Sequence, residues 1–151
     1  MNSQMNLIFE NWKRYINESY DMAKGIEYTA VELDIGSRIA LEKLAPQGWK
    51  VFAHHMTIIP PTLQQAEPRY NYPKYPIGSE VPLKAVAIAQ NDKVIAVKIE
   101  SDIPTKNKIA HVTIATNAGG KPMDSNNFGE EDFKPMKPIS LSGTIKEVPK
   151  K

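Results

Sequence analysis

Residues 52–61 read FAHHMTIIPP, and residues 108–116 read KIAHVTIAT. Both are rich in β-branched and apolar residues. The first stops at Pro60-Pro61, which cannot continue a paired strand, so both stretches read as strands. Successive side chains of a strand point to opposite faces, so His55 and Thr57 emerge together while Phe52, His54, Met56 and Ile58 point the other way. The same alternation sets His111 and Thr113 on one face and Val112 and Ile114 on the other. Each stretch thus carries a polar pair over an apolar backing, and the chain's three histidines all lie in these two stretches. Two occurrences of His-x-Thr-apolar among three histidines are expected by chance on the order of 0.5% of the time, given usual residue frequencies. Two strands of one sheet would bring both pairs to one cleft. By strand parity His54 belongs to the opposite layer, in a hydrogen-bonded structural role.

The flanking sequence supplies the rest of a strand-dominated fold. IEYTAVELDI (26–35) alternates Tyr28, Ala30 and Glu32 against Val31 and Leu33, and GSRIALEKLAP (36–46) reads as a short helix closed by Pro46. WKVFAHHMTII (49–59) reads as one strand. VPLKAVAIAQNDKVIAVKIES sets Asn91-Asp92 between two β-rich runs, a hairpin signal. The Gly- and Asn-rich loop after residue 116 has room for a short helical turn, and ISLSGTIKEV (139–148) reads as the last strand. Residues 1–24 place Met5, Ile8, Trp12, Tyr15 and Ile16 at helical spacing, which predicts an amphipathic helix packing on a domain formed by residues 25–151. The fold class expected is α+β with mainly antiparallel pairing.

Composition narrows the chemistry. The chain has 151 residues, 41% of them hydrophobic and 24% charged, which is ordinary for one globular domain. It contains no cysteine, which excludes disulfides and thiolate chemistry and fits a cytoplasmic protein. No long uncharged run is present, so neither an ordinary signal peptide nor a membrane span is expected. A net charge of +2 permits an anionic ligand without requiring one. Zinc would want a third protein ligand and no HExxH is present, so no metal and no cofactor are expected. Paired imidazoles without a metal point to acid–base work. One takes a proton from an attacking hydroxyl and the other gives one to a leaving oxygen. The neighbouring hydroxyls would bind the non-bridging oxygens of a phosphate. Opposite protonation states imply a bell-shaped pH dependence around neutrality.

HMTI (55–58) and HVTI (111–114) resemble the paired His-x-Thr/Ser-apolar motifs of the two-histidine (2H) phosphoesterases. AHVTIATNAGGKPMDSNNF (110–128) and LSGTIKEV are similar to segments of the cyclic-nucleotide phosphodiesterase branch. The resemblance implies a bilobal 2H-phosphoesterase-like fold with two mainly antiparallel sheets around a central cleft. It also implies metal-independent hydrolysis of a phosphodiester. His55 and His111 would be acid and base, and Thr57 and Thr113 the phosphate ligands. The first substrate expected is a 2′,3′-cyclic phosphate of an RNA end or nucleotide. Cleavage of cyclic oligonucleotide immune signals, as some phage-borne relatives perform against host defence, is the second reading. A non-catalytic RNA- or nucleotide-binding module is the third. A monomer is expected, with no membrane partner.

Two loops are candidates for the rest of the site. EPRYNYPKYP (67–76) interleaves Arg69 and Lys74 with Tyr70, Tyr72 and Tyr75, the composition needed to stack on a base and steer a phosphate. The same residues also read as a Pro-stiffened surface loop whose tyrosines pack on the body. NAGGKP (117–122) offers backbone N–H groups and Lys121 to an anion, though it lacks the spacing of an ATP-binding loop and also reads as an ordinary turn.

Overall fold

The computed structural model describes residues 26–59 and 76–149. The helix expected over 1–24 and the Tyr-rich loop with Arg69, Tyr70, Tyr72, Lys74 and Tyr75 lie outside the described residues. Within them run β1 (Ile26–Leu33), α1 (Ile35–Glu42), β2 (Lys50–Val51), β3 (His55–Ile59), β4 (Glu80–Gln90), β5 (Val94–Glu100), β6 (His111–Thr116) and β7 (Lys134–Pro149). Two 3₁₀ turns, Pro122–Asn127 and Glu130–Asp132, bridge β6 and β7.

The strands form one sheet in the order β2-β6-β3-β1-β7-β4-β5, and β5 pairs with β6 as well. The sheet therefore closes into a barrel, and every pairing in it is antiparallel. The antiparallel, strand-dominated expectation is met. The described strands make one closed sheet where two sheets were anticipated, because β6 uses both edges, β2 and β3 on one and β5 on the other.

Period-two patterning explains what fills the barrel. Val31, Leu33, Met56, Ile58, Val81, Leu83, Val97, Val112, Ile114, Leu141 and Ile145 all point inward and are almost wholly buried. Each such side chain contributes roughly 1.5–3 kcal/mol by leaving water. A second apolar cluster lies on the outer face, where Phe128 and Phe133 of the β6–β7 connection pack with Ile109 over Ala87, Ala89, Val94 and Ala96 of β4 and β5. That connection therefore lies against the barrel wall.

Local chemistry sets the turns. Asp34 caps α1, its Oδ1 accepting from the Ser37 amide at 2.8 Å, and its other oxygen accepts from the Ser142 hydroxyl. The β4–β5 hairpin turns at Asn91-Asp92 as expected, with Asn91 Oδ1 accepting from the amides of Lys93 at 2.8 Å and Val94 at 3.0 Å.

One expectation is corrected. Residues 49–59 are not a continuous strand, because Ala53 adopts φ 46°, outside extended geometry. Lys50 pairs with Thr116 before this break and Met56 with Val112 after it, so two extra residues are accommodated opposite β6. The alternation count is lost across that bulge, and His54 ends up exposed, not in the opposite layer.

Gly143 of β7 fixes how closely β1 and β7 approach. A Cβ there would sit 2.5 Å from the Glu32 carbonyl oxygen and 2.7 Å from Val31 Cγ1. Gly143→Ala should lower stability by about 1–3 kcal/mol, as overpacking of a closed core does. A denaturation midpoint equal to that of the native chain would show that β7 yields more easily than this packing implies.

Candidate active site

The barrel presents its inner side chains to the core, and the alternate ones face outward. Met56 pairs with Val112 across β3 and β6, and both are buried inside. Continuing that antiparallel register by one residue each way sets His55 across from Thr113 and Thr57 across from His111. The pattern extends to the neighbouring strands. Glu32, His55, Thr113 and Ala96 form one row on the outer face, and Ala30, Thr57, His111 and Lys98 form the next. The histidines are diagonal neighbours in this lattice, a relation in which backbone positions typically lie roughly 7–8 Å apart. Two imidazoles so placed can flank one tetrahedral phosphate. The four residues singled out in the sequence are thus brought together.

The second motif is tied to the first 3₁₀ turn. His111 Nδ1 lies 2.7 Å from the Ile109 carbonyl oxygen, and since a carbonyl only accepts, Nδ1 carries the proton. Nε2 lies 3.0 Å from Ser125 Oγ. Thr113 Oγ1 lies 2.8 Å from the same hydroxyl, which is also 2.7 Å from the Pro122 carbonyl oxygen. The Ser125 hydroxyl serves either protonation state of His111. Its single proton goes to Nε2 when the ring is neutral. When Nε2 is protonated it donates to Oγ, and the hydroxyl proton turns to Pro122. His111 can therefore gain or lose a proton without losing a hydrogen bond, which is what an acid–base group needs. Ser125, only 2% exposed, was not identified from sequence, where one serine in a polar loop carries no periodic or motif signal.

On the other side, the His55 ring stacks at a tilt on Tyr28, with centroids 5.0 Å apart. Glu32 in the same row forms ion pairs at 3.2 Å with both Arg38 and Lys146. Lys98, beside His111, is held by Glu130 at 2.6 Å. Burial, reinforced by the charge of His54, pushes the His55 imidazole down to about 4, against a smaller opposing pull from Glu32. His111 and Arg38 add further to the lowering, so the two site histidines sense each other electrostatically. Burial also lowers His111, opposed by its bonds to the Ile109 carbonyl and the Asn126 side chain. Both rings therefore favour the neutral form in the free protein.

Lys121 does not reach this face through its backbone. Its amide donates to Asp124 Oδ2 at 2.8 Å, the Gly120 amide bonds Asn117, and the Lys121 side chain is exposed. Gly120 is wedged on the hairpin, where a Cβ would come within 2.3 Å of the Lys93 carbonyl oxygen. The Gly-Gly loop thus docks the 3₁₀ turn that carries Ser125. Among the described residues no group of three or more His, Cys, Asp or Glu is gathered as metal ligands would be, and no helix is long and apolar enough to cross a membrane. Comparison with protein-family models, with curated proteins and with solved structures finds no match to this chain.

The buried imidazoles make stability depend on pH. A depressed folded-state pKa means that the unfolded chain binds more protons between pH 6.5 and 4, so stability falls as pH drops through that window. For His55 the full loss is about 3 kcal/mol. His55→Gln should flatten this part of the stability–pH curve in chemical denaturation. An unchanged slope would mean that the ring is solvated.

Proposed function

We propose that this chain is a metal-independent phosphodiesterase of the two-histidine type. In this reading it acts on a nucleotide phosphodiester, with the 2′,3′-cyclic phosphate of an RNA end or mononucleotide as first substrate. The observation that carries the proposal is the register that sets His55 against Thr113 and Thr57 against His111 on one partly buried face. The fold-level part of the proposal is that each motif strand with its neighbours corresponds to one half of a 2H fold, the halves being joined here into one closed sheet.

In the proposed reaction a phosphodiester sits across the two rows with one imidazole on each side of phosphorus. The neutral imidazole accepts a proton from water as the new O–P bond forms. The protonated one gives its proton to the leaving oxygen as the old P–O bond breaks. The Thr57 hydroxyl donates to one non-bridging oxygen, the Thr113 hydroxyl turns its proton from Ser125 to another, and Lys98, on leaving Glu130, adds positive potential beside His111. Both rings favour neutrality in the free protein, so the acid must be generated on binding. An anionic phosphate between the rings favours the imidazolium and offsets the burial that disfavours it. This moves the expected bell in kcat/KM, which reports the free enzyme, from neutrality to its acid side.

A non-catalytic nucleotide-binding module is the second reading. It is favoured by the engagement of both His111 ring nitrogens, by Ile109 and Ser125.

The test is turnover in EDTA of 2′,3′-cyclic mononucleotides, cyclic-phosphate-ended RNA and cyclic dinucleotides, with products resolved chromatographically. Hydrolysis of a 2′,3′-cyclic phosphate is expected. His55→Ala and His111→Ala should each cost on the order of 10²-fold or more, and the double variant far less than the product of the two. Preference for the cyclic dinucleotide would favour the immune-signal reading, and binding without turnover the module. Full activity in His111→Ala would end the acid–base assignment.

A further inference from the structure

Two hydroxyls link His111 to the phosphate side of the site. Its Nε2 lies 3.0 Å from Ser125 Oγ, which in turn lies 2.8 Å from Thr113 Oγ1. Ser125 is buried, whereas Thr113 is half-buried and stands across from His55. Nδ1 of His111 is committed to the Ile109 carbonyl, so Nε2, at the end of this chain, is the nitrogen that titrates.

A hydroxyl has one proton to donate, and a row of hydrogen bonds is most stable when all of them point the same way. While His111 is neutral Nε2 accepts, and the chain runs from Thr113 through Ser125 to Nε2. A phosphate oxygen beside Thr113 is a better acceptor than a serine hydroxyl, because hydrogen bonds to ionised groups are the stronger ones. Once the Thr113 proton turns to phosphate, Thr113 Oγ1 joins the Pro122 carbonyl, 2.7 Å from Ser125 Oγ, as an acceptor for the serine proton. The chain then runs from Nε2–H through Ser125 and Thr113 to phosphate. That direction needs a proton on Nε2.

His55 has neighbours of another kind. Its ring lies on Tyr28, and Glu32, the carboxylate in its row, already holds Arg38 and Lys146. Burial, and then the charge of His54, oppose its protonation. The titratable groups around His111 are His55 on β3, Lys98 on β5 with its partner Glu130, and Lys108 ahead of β6, while Asp124, on the turn with Ser125, holds the Lys121 amide. We infer that Ser125 and Thr113 form a reversible hydroxyl chain that couples phosphate binding to protonation of His111, which makes His111 the general acid and His55 the general base. The inference rests on the phosphodiesterase reading for the place of the phosphate and adds which ring does what. In the step so assigned, His55 takes a proton from water as the water oxygen bonds to phosphorus. The bond from phosphorus to the leaving oxygen breaks with its electron pair on that oxygen, which receives the Nε2 proton of His111. Exchange with solvent resets both rings. Ser125 acts through His111 and is a positioning residue.

The experiment follows the imidazole resonances by NMR between about pH 4 and 8, with and without saturating nucleoside 3′-monophosphate. It compares the native chain with Ser125→Ala, Thr113→Val and Thr113→Ser. The ligand should raise the proton affinity of His111 about tenfold more in the native chain than in Ser125→Ala or Thr113→Val, the amount that one hydrogen bond to a charged group supplies. Thr113→Ser should restore the response, and His55 should respond alike in all four chains. Circular dichroism establishes that each variant is folded, and the two Thr113 variants carry the test if Ser125→Ala does not fold. Turnover of a p-nitrophenyl nucleotide diester, whose leaving oxygen needs no proton, assigns the roles. The losses of His111→Ala and Ser125→Ala on 2′,3′-cyclic nucleotides should largely disappear with it, while His55→Ala keeps its loss. A full His111 response in Thr113→Val overturns the chain, and rescue of His55→Ala in place of His111→Ala overturns the roles, with the phosphodiesterase reading standing in both cases. If the coupling is present but no ester is hydrolysed, the chain stands while the roles and the catalytic reading fall. If neither resonance moves with the ligand and nothing is hydrolysed, all of them fall.

Discussion

Everything on the candidate face depends on β6 being hydrogen-bonded along both edges. Val112 at its centre faces Met56 on one side and Val97 on the other, and all three are buried without measurable exposure. Because side chains alternate with period two, an inward Val112 obliges His111 and Thr113 to face outward, just as an inward Met56 does for His55 and Thr57. A one-residue slip in either pairing would turn an imidazole into the core and a valine or methionine out of it. The apolar interior therefore positions the polar pairs, and barrel closure removes the free edge at which such a slip would begin.

The second constraint is partial burial. An imidazole in open water titrates in its ordinary range and exerts little electrostatic leverage, whereas one lodged on a covered barrel wall has its charge disfavoured. The covering here is Tyr28 over His55 and the 3₁₀ turn with Ser125 over His111. The same covering that lowers both rings would strengthen any charge interaction with an anion placed between them. Ser125 belongs to this logic because a buried imidazole that changes protonation needs a partner able to reverse its role, and a hydroxyl is the smallest group that can.

Much of the fold was legible because it follows from short-range alternation. The inward set Val31, Leu33, Met56, Ile58, Val112 and Ile114, the Asn91-Asp92 turn and the helix after Asp34 all follow from spacing and turn chemistry. The gathering of His55, Thr57, His111 and Thr113 was legible from the doubled motif. Closure of the sheet was not, since pairing of β5 with β6 is a long-range choice that period-two patterns leave open. The bulge at Ala53 was hidden because alanine at positive φ carries no signature, and it misdirected the reading of His54. Ser125 was invisible for a related reason. Its place beside His111 comes from where a loop docks, through Gly120 on the hairpin, and not from any local pattern.

The central claim is that His55 and His111 share one phosphate. Imidazole resonances of the chain, assigned by His→Gln variants and followed by NMR during titration with a nucleoside 3′-monophosphate, test it most directly. The account predicts that both rings shift along one saturable, single-site curve and move toward the protonated form as the ligand binds. The resonances of His54, exposed on the bulge, should not follow that curve. Movement of only one site ring, or of neither when the ligand is saturating, would contradict the claim.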